Sequence, residues 1–109
     1  MDFPITSPVR LEDLVEYQPG SVVSRVIFRN EGGSQTLFAF AEGGGLGEHT
    51  NPNDAVILVL EGSAEVTVGG VGHVVGIGEA LYLPASVPHA LDGGPPFKML
   101  LTLLKAGGA

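Results

Sequence analysis

The chain has 109 residues, a length typical of one domain, and a formal net charge of −7 from twelve acidic and five basic side chains. This balance disfavours partners that need clustered basic charge, so we expect no nucleic acid and no membrane surface as a partner. The absence of cysteine excludes disulfides, thiolate zinc sites and cysteine nucleophiles. Without a signal-peptide pattern or an apolar run of about eighteen residues, the sequence predicts a cytoplasmic protein.

One short helical pattern and eight strand-like runs follow one another along the chain. Leu11–Tyr17 has the spacing of a short amphipathic helix, which Pro19 and Gly20 would end. Further on, glycines and prolines separate apolar runs of strand length. The predicted strands are Val22–Arg29, Gln35–Ala41, Ala55–Glu61, Ala64–Val68, Val71–Val75, Ala80–Leu83, Pro88–Leu91 and Phe97–Leu104. Many short strands without a long helix predict an all-β sandwich or small barrel in a single domain.

The predicted strands carry three local signals about packing and assembly. Gly69 and Gly70 follow an alternating run and predict a tight hairpin, whose second strand carries His73 as a surface residue. Alternation also places four side chains of the last strand on the inward face, namely Phe97, Met99, Leu101 and Leu103. Leu100 and Leu104 interrupt the outward face of that strand. A second copy of the chain would cover such apolar surface, which predicts a homodimer.

Two of the three histidines stand close to the beginning of a predicted strand. His49 precedes the strand that starts at Ala55, and in extended backbone Asn51 would point to the same side as His49. His89 follows Pro84 and Pro88 at the start of another strand. Imidazole nitrogens can bind a metal ion or exchange a proton with a substrate. Local pattern alone does not establish that the two histidines meet.

The chain resembles the cupin superfamily, in particular its small single-domain members of the cupin 2 conserved barrel type. The first cupin motif places Gly, His, His, Glu or His, and Gly at fixed spacing, and the corresponding positions here are Gly43, His49, Asn51, Ala55 and Gly62. The second motif places Gly, Pro, Gly and His, and the corresponding positions are Gly78, Pro84, Ser86 and His89. The resemblance implies a double-stranded β-helix, or jelly-roll barrel, as one cupin domain over residues 1–109. A short N-terminal segment 1–20 would precede the barrel at about 21–105.

The resemblance also implies a degenerate metal site in the barrel pocket. Metal-binding cupins hold Fe, Mn, Ni, Zn or Cu with three histidines and a glutamate or a fourth histidine. Here Asn51 and Ala55 replace two of the four ligands, which leaves His49, Asn51 and His89 for one weakly held divalent ion (Zn, Mn, Fe or Ni) or for none. Asp54 lies beside the missing ligand, but strict alternation points it away unless a bulge turns it inward.

The sequence and the resemblance are compatible with three functions. In the first, a small organic molecule binds in the pocket and His49 and His89 orient or protonate it as catalytic groups, as in cupins that work without metal. In the second, the protein is a metal-dependent dioxygenase, isomerase or cyclase. In the third, it is a ligand-sensing module without turnover. The structural alternative is that the two histidines take part in no chemistry. Neighbouring groups would then satisfy their hydrogen bonds, and Asn51 would form a turn.

Overall fold

The structure is a computed structural model that describes residues 5–105. Within that range it contains one 3₁₀ turn, Leu11–Leu14, and nine strands. The strands are β1 (Val22–Asn30), β2 (Gly33–Phe40), β3 (Leu46–His49), β4 (Asp54–Glu61), β5 (Ser63–Val68), β6 (Val71–Gly76), β7 (Ala80–Leu83), β8 (His89–Asp92) and β9 (Phe97–Leu104). They form a five-stranded sheet in the order β1-β2-β9-β4-β7 and a four-stranded sheet in the order β3-β8-β5-β6. All pairings are antiparallel, and the expected all-β jelly-roll barrel is confirmed.

An apolar core lies between the two sheets, and both sheets contribute to it. Phe40 and Phe97 come from the five-stranded sheet, and their rings stack with centroids 4.5 Å apart. Val66 and Leu91 face them from the four-stranded sheet. Full burial of an aliphatic or aromatic side chain contributes roughly 1.5–3 kcal/mol, so this core is a main source of stability. The predicted inward face of the last strand is confirmed, since its four side chains all belong to this cluster.

A second apolar cluster lies on the outer face of the five-stranded sheet, beneath the N-terminal segment. Val15 of that segment is buried, and it clusters with Leu37 and Leu100 of the sheet. Leu100 is therefore covered by the chain itself, and the expectation that it leaves apolar surface for a second copy is wrong. Leu104 does remain exposed, at 51%.

The lysine cluster, formed by Lys98, Tyr17 and Glu61, sits at the same interface. Lys98 is almost buried, and its ammonium donates a hydrogen bond of 2.8 Å to the carbonyl oxygen of Glu12. The ammonium also lies 3.8 Å from a carboxylate oxygen of Glu61 and 5.0 Å from the ring centroid of Tyr17. The Tyr17 hydroxyl donates a bond of 2.8 Å to Glu61. These contacts fasten the N-terminal segment to the sheet.

The helix predicted over Leu11–Tyr17 is present only as the 3₁₀ turn. Val15, directly after the turn, is extended with φ −142°, and no side chain caps the start of the turn. A β-branched residue and a missing cap both disfavour a longer helix in so short a segment. The apolar residues instead belong to an irregular segment, and they pack on the sheet.

The predicted strands agree closely with those observed, with one omission. Gly69 and Gly70 have positive φ values of 55° and 82°, so the hairpin between β5 and β6 is confirmed. β3 was not predicted, because Gly43–Gly45 and Gly47 give its segment no alternating pattern. In the described part of the chain, no helix has the length and hydropathy needed to cross a membrane.

Candidate functional site

His89 lies at the end of the apolar row that β8 contributes to the core. Leu91, two residues further on and on the same face, belongs to the core, and His89 itself is only 6% exposed. Within the four-stranded sheet, His89 is the register partner of Val68 on β5 and of His49 on β3. Pairing of β3 with β8 therefore brings together two histidines that are distant in sequence.

An irregularity in β3 turns His49 toward the side of His89. Leu46 pairs with Leu91 and His49 pairs with His89, so three steps along β3 match two steps along β8. An extra residue of this kind is a β-bulge, and it changes the face to which the next side chain points. With strict alternation, His49 would lie on the face opposite to Leu46, which packs against the core.

The two imidazole rings are in contact, and each is held by a backbone carbonyl. Their centroids are 4.3 Å apart and their planes meet at 69°, an edge-to-face arrangement. Nδ1 of His49 lies 2.7 Å from the carbonyl oxygen of Gly47, and Nδ1 of His89 lies 3.2 Å from that of Val87. Because a carbonyl oxygen only accepts hydrogen bonds, each Nδ1 carries the hydrogen. In the neutral rings both Nε2 atoms therefore present lone pairs.

The pair is open to solvent on one side. His49 is exposed, whereas His89 is buried among the strands. In residues 5–105 every fully buried side-chain nitrogen or oxygen has a hydrogen-bond partner, and neither Nε2 is bonded to another of these residues. The Nε2 of His89 therefore reaches solvent. The third histidine, His73, is exposed on β6 beyond β5, as predicted.

The other two positions of the first cupin motif do not add a strong ligand. The side-chain oxygen of Asn51 accepts a 2.8 Å hydrogen bond from the backbone N–H of Asn53, and this bond forms a local turn. Asn51 thus has the turn-forming contact that was the alternative to metal ligation. Ala55 is buried in the core on β4 and offers no donor atom.

Asp54 is engaged on the outer side of the five-stranded sheet, as strict alternation predicts. Its carboxylate accepts a 2.8 Å hydrogen bond from the Tyr82 hydroxyl and a 3.0 Å bond from the backbone N–H of Ala85. The hydrogen bond to Asp54, followed by desolvation and by the nearby negative charge, raises the pKa of Tyr82 above its ordinary value. Asp54 does not compensate for the missing ligand at position 55.

The donor set does not fit a tightly held divalent ion. In the described residues, no three side chains of His, Asp or Glu are grouped so that they could hold a metal. His49 and His89 are the two strong candidate metal ligands, and the Asn51 oxygen is already engaged because it accepts a hydrogen bond. Structural zinc sites have four protein ligands and catalytic ones usually have three. We therefore derive no chemical step through a metal.

A strained turn precedes His89. The backbone N–H of Val87 bonds to the carbonyl of Pro84 at 3.2 Å, and Ser86 at the third position of this turn has φ +64°. These features define a type II turn, in which glycine normally takes that position. Left-handed backbone costs a residue with a Cβ atom roughly 1–2 kcal/mol. Ser86 stands at the glycine position of the second cupin motif, and the residue pattern around it gave no sign of the positive φ.

The turn also connects the two histidine segments. The backbone N–H of Ser86 donates a 2.8 Å bond to the carbonyl of Asn51, two residues after His49. The carbonyl of Val87, at the end of the turn, accepts the hydrogen bond from the His89 ring. The turn therefore helps to set the position of both imidazoles.

A β-barrel of two antiparallel sheets with histidines from both motifs at one end defines a cupin-type protein. The profile of the Cupin domain family matches residues 36–102, well over half of the chain. The chain belongs to the cupin family.

Solved structures of similar proteins agree with this assignment. A conserved protein of unknown function from Streptococcus pyogenes superposes with a TM-score of 0.87 and 29% identity, over 94% of this chain and 90% of that one. A cupin 2 conserved barrel domain protein from Leptotrichia buccalis gives a TM-score of 0.83 and 38% identity, over 87% of this chain and 46% of that one. Both proteins share the fold of the described barrel.

A curated relative of known activity matches a smaller part of the chain. The dimethylsulfoniopropionate lyase DddW of Ruegeria pomeroyi is 39% identical over 56 residues, which are 51% of this chain and 37% of that protein. The chain thus spans well under half the length of that relative. The matched segment supports membership of the cupin family and does not extend the activity of that relative to this chain.

Proposed function

We propose that this cupin is a cytoplasmic protein that binds a small organic molecule at His49 and His89, which orient the molecule and exchange a proton with it. The observation that carries the proposal is the contact between the two rings, 4.3 Å between centroids, with each Nδ1 held by a carbonyl. Fixing Nδ1 sets both the tautomer and the orientation of an imidazole. Two adjacent Nε2 lone pairs then face the ligand.

The chemistry of this pair favours a ligand group that donates hydrogen bonds, such as an ammonium, hydroxyl or amide group. The net charge of −7 favours neutral and cationic ligands over anions. His89 is buried and supplies a fixed acceptor, whereas His49 is exposed and can be reached from solvent. A neutral imidazole near pH 7 is suited to accept and return a proton.

A ligand screen read out on the imidazoles tests the proposal. Nitrogen-15 NMR of the histidine rings would follow titrations with a set of small amines, alcohols and amides. Ligands that bind should shift the Nε2 signals of His49 and His89, and His49→Ala or His89→Ala should abolish binding in a folded protein. His73→Ala is the matched control and should bind normally. Normal binding by both site variants would refute the proposal.

A metal-dependent lyase is the second candidate, and the local similarity to DddW favours it. The donor set speaks against it, because His49 and His89 lack a third strong ligand. Elemental analysis followed by titration with Zn, Mn, Fe and Ni would measure ion binding directly. Incubation with dimethylsulfoniopropionate and each ion, with headspace detection of dimethyl sulfide, would measure cleavage of the carbon–sulfur bond. We expect no release above that of His89→Ala, and a clear excess would favour the lyase.

We also propose that two copies of the chain pair. Leu104 and Tyr82 are exposed on the outer face of the five-stranded sheet, away from the area that the N-terminal segment covers. A partner copy would remove this apolar surface from water. Light scattering after size exclusion should give the mass of two chains, and Leu104→Lys should shift it toward one. A wild-type mass of one chain at all concentrations would contradict pairing.

A further inference from the structure

Ser86 holds a strained backbone without a visible benefit to the fold. Its φ of +64° is the only positive value at a non-glycine residue in the described chain, whereas the hairpin at Gly69 and Gly70 uses glycine for the same backbone region. Asn or Asp in this region can gain a local hydrogen bond from the side chain. The Ser86 hydroxyl makes no hydrogen bond with residues 5–105, and Ser86 is exposed. Glycine would form the same turn at lower cost.

The position of Ser86 suggests what the side chain is for. Its backbone is bonded to Asn51 on the His49 side, and the next residue, Val87, accepts the hydrogen bond from His89. The backbone of the turn is thus bonded to both segments that carry the imidazoles, and Ser86 adds an exposed hydroxyl group that no described residue engages. Strain that persists where the fold does not require it is a marker of a functional position.

We propose that Ser86 contacts the ligand of the His49–His89 pair through its hydroxyl group, an inference that rests on the function proposed above. Two imidazole acceptors and one hydroxyl group are matched by a ligand with two polar groups. One of these groups donates to the Nε2 atoms, and the other bonds to the serine hydroxyl. Small amino alcohols and polyols have this character, so the ligand class is a hydroxyl-bearing amine or alcohol.

Two probes that differ by one hydroxyl group isolate this contact. Ethanolamine carries an ammonium group for the imidazoles and a hydroxyl group for Ser86, whereas ethylamine carries only the ammonium group. Nitrogen-15 NMR of the rings would give the dissociation constant of each probe for wild type, Ser86→Ala and Ser86→Gly. Ser63→Ala, which removes an exposed serine hydroxyl at the start of β5, is the matched control.

Wild type and Ser63→Ala should bind ethanolamine about fivefold more tightly than ethylamine, the effect of one hydrogen bond. In Ser86→Ala and Ser86→Gly this ratio should fall to about one. Ser86→Gly should also melt at a higher temperature than wild type, whereas Ser86→Ala keeps the strain and should not. The ratio of the two dissociation constants therefore reports the contact with the ligand, and the melting temperature reports the effect on the turn.

The failures of the two proposals are distinguishable. If ethylamine shifts the ring signals but ethanolamine binds no better, or if both Ser86 variants keep the wild-type ratio, the role of Ser86 is refuted and the histidine pair stands. If neither probe shifts the ring signals of wild type at any concentration, both the binding of donor groups by the pair and the role of Ser86 are refuted.

Discussion

The lysine cluster and the histidine pair are two polar groups of side chains in one small barrel, and they differ in how their polar atoms are satisfied. In the lysine cluster, Lys98, Tyr17 and Glu61 bond to one another or to the backbone at an interface within the chain. In the histidine pair, only the Nδ1 atoms of His49 and His89 are bonded, and both Nε2 atoms are left for solvent or a ligand.

This difference separates a structural cluster from a candidate binding site. A buried lysine is costly unless its charge is paired or solvated, and here every partner comes from the same chain. Such a cluster fastens two parts of the fold and offers nothing to a ligand. The histidine pair contributes less to folding because one ring is exposed, but its two free acceptors can recognise a molecule. Substitutions in the two places should therefore have opposite consequences.

Removing Lys98 should have the largest effect on stability. Lys98→Ala eliminates the hydrogen bond to Glu12 and the cation above the Tyr17 ring, and it should lower the free energy of unfolding by about 2 kcal/mol. Urea unfolding would measure the loss, and ligand binding at the histidine pair should be unchanged. Lys105→Ala, at an exposed lysine, is the control and should cost less than about 0.5 kcal/mol. Equal stability of the two variants would show that the cluster does not fasten the N-terminal segment.

Tyr17 should make the stability of the protein sensitive to alkaline pH. Burial, followed by the hydrogen bond to Glu61 and the charge of Glu61, raises the pKa of Tyr17 well above its ordinary value. The unfolded chain loses this proton near the ordinary pKa of about 10, while the folded chain retains it. The folded state therefore binds more protons above that pH, and the stabilisation that is complete below about pH 10 declines as the pH rises further.

Tyr17→Phe should lower the free energy of unfolding at neutral pH by about 1 kcal/mol, the contribution of one hydrogen bond. It should also reduce the decline above about pH 10. Urea unfolding at a series of pH values would test both effects. Tyr82→Phe removes a similar bond to Asp54 at an exposed site and should change the alkaline slope less. A Tyr17→Phe slope as steep as that of wild type would rule out Tyr17 as the source.

Removing the outer histidine should have the smallest effect on stability. His49→Ala deletes an exposed ring on a four-residue edge strand, so the free energy of unfolding should change by less than about 0.5 kcal/mol. Thermal unfolding would measure this change beside the loss of ligand binding. A large loss of stability would indicate that the pair serves packing, and the contrast with the lysine cluster would disappear.

The sequence predicted the strands well because their signals are local. In β5 and in β9, apolar residues alternate along the strand because every second side chain faces the core. The meeting of His49 and His89 could be expected only from the resemblance to cupins, since β3 forms through long-range pairing with β8. The bulge in β3 and the positive φ of Ser86 are backbone features that side-chain patterns do not report.

The helix over Leu11–Tyr17 was overpredicted for a related reason. The apolar residues of this segment all pack against the sheet, and a 3₁₀ turn followed by extended backbone places them there as well as a helix would, so the pattern alone did not distinguish the two. The buried role of Lys98 was also missed, because it depends on a segment that folds back from the other end of the chain.

The single extra residue in β3 has a consequence for how a barrel of this kind could gain or lose a binding site. Deleting Gly47 would shift the strand by one position and send the His49 ring to the opposite side, while the nine-strand framework would lose none of its core side chains. Under the proposed function, ligand binding would depend on the length of a short peripheral strand and would be nearly independent of the core that stabilises the fold. Small insertions and deletions at this edge are therefore an economical way for such a scaffold to acquire, retune or abandon a ligand.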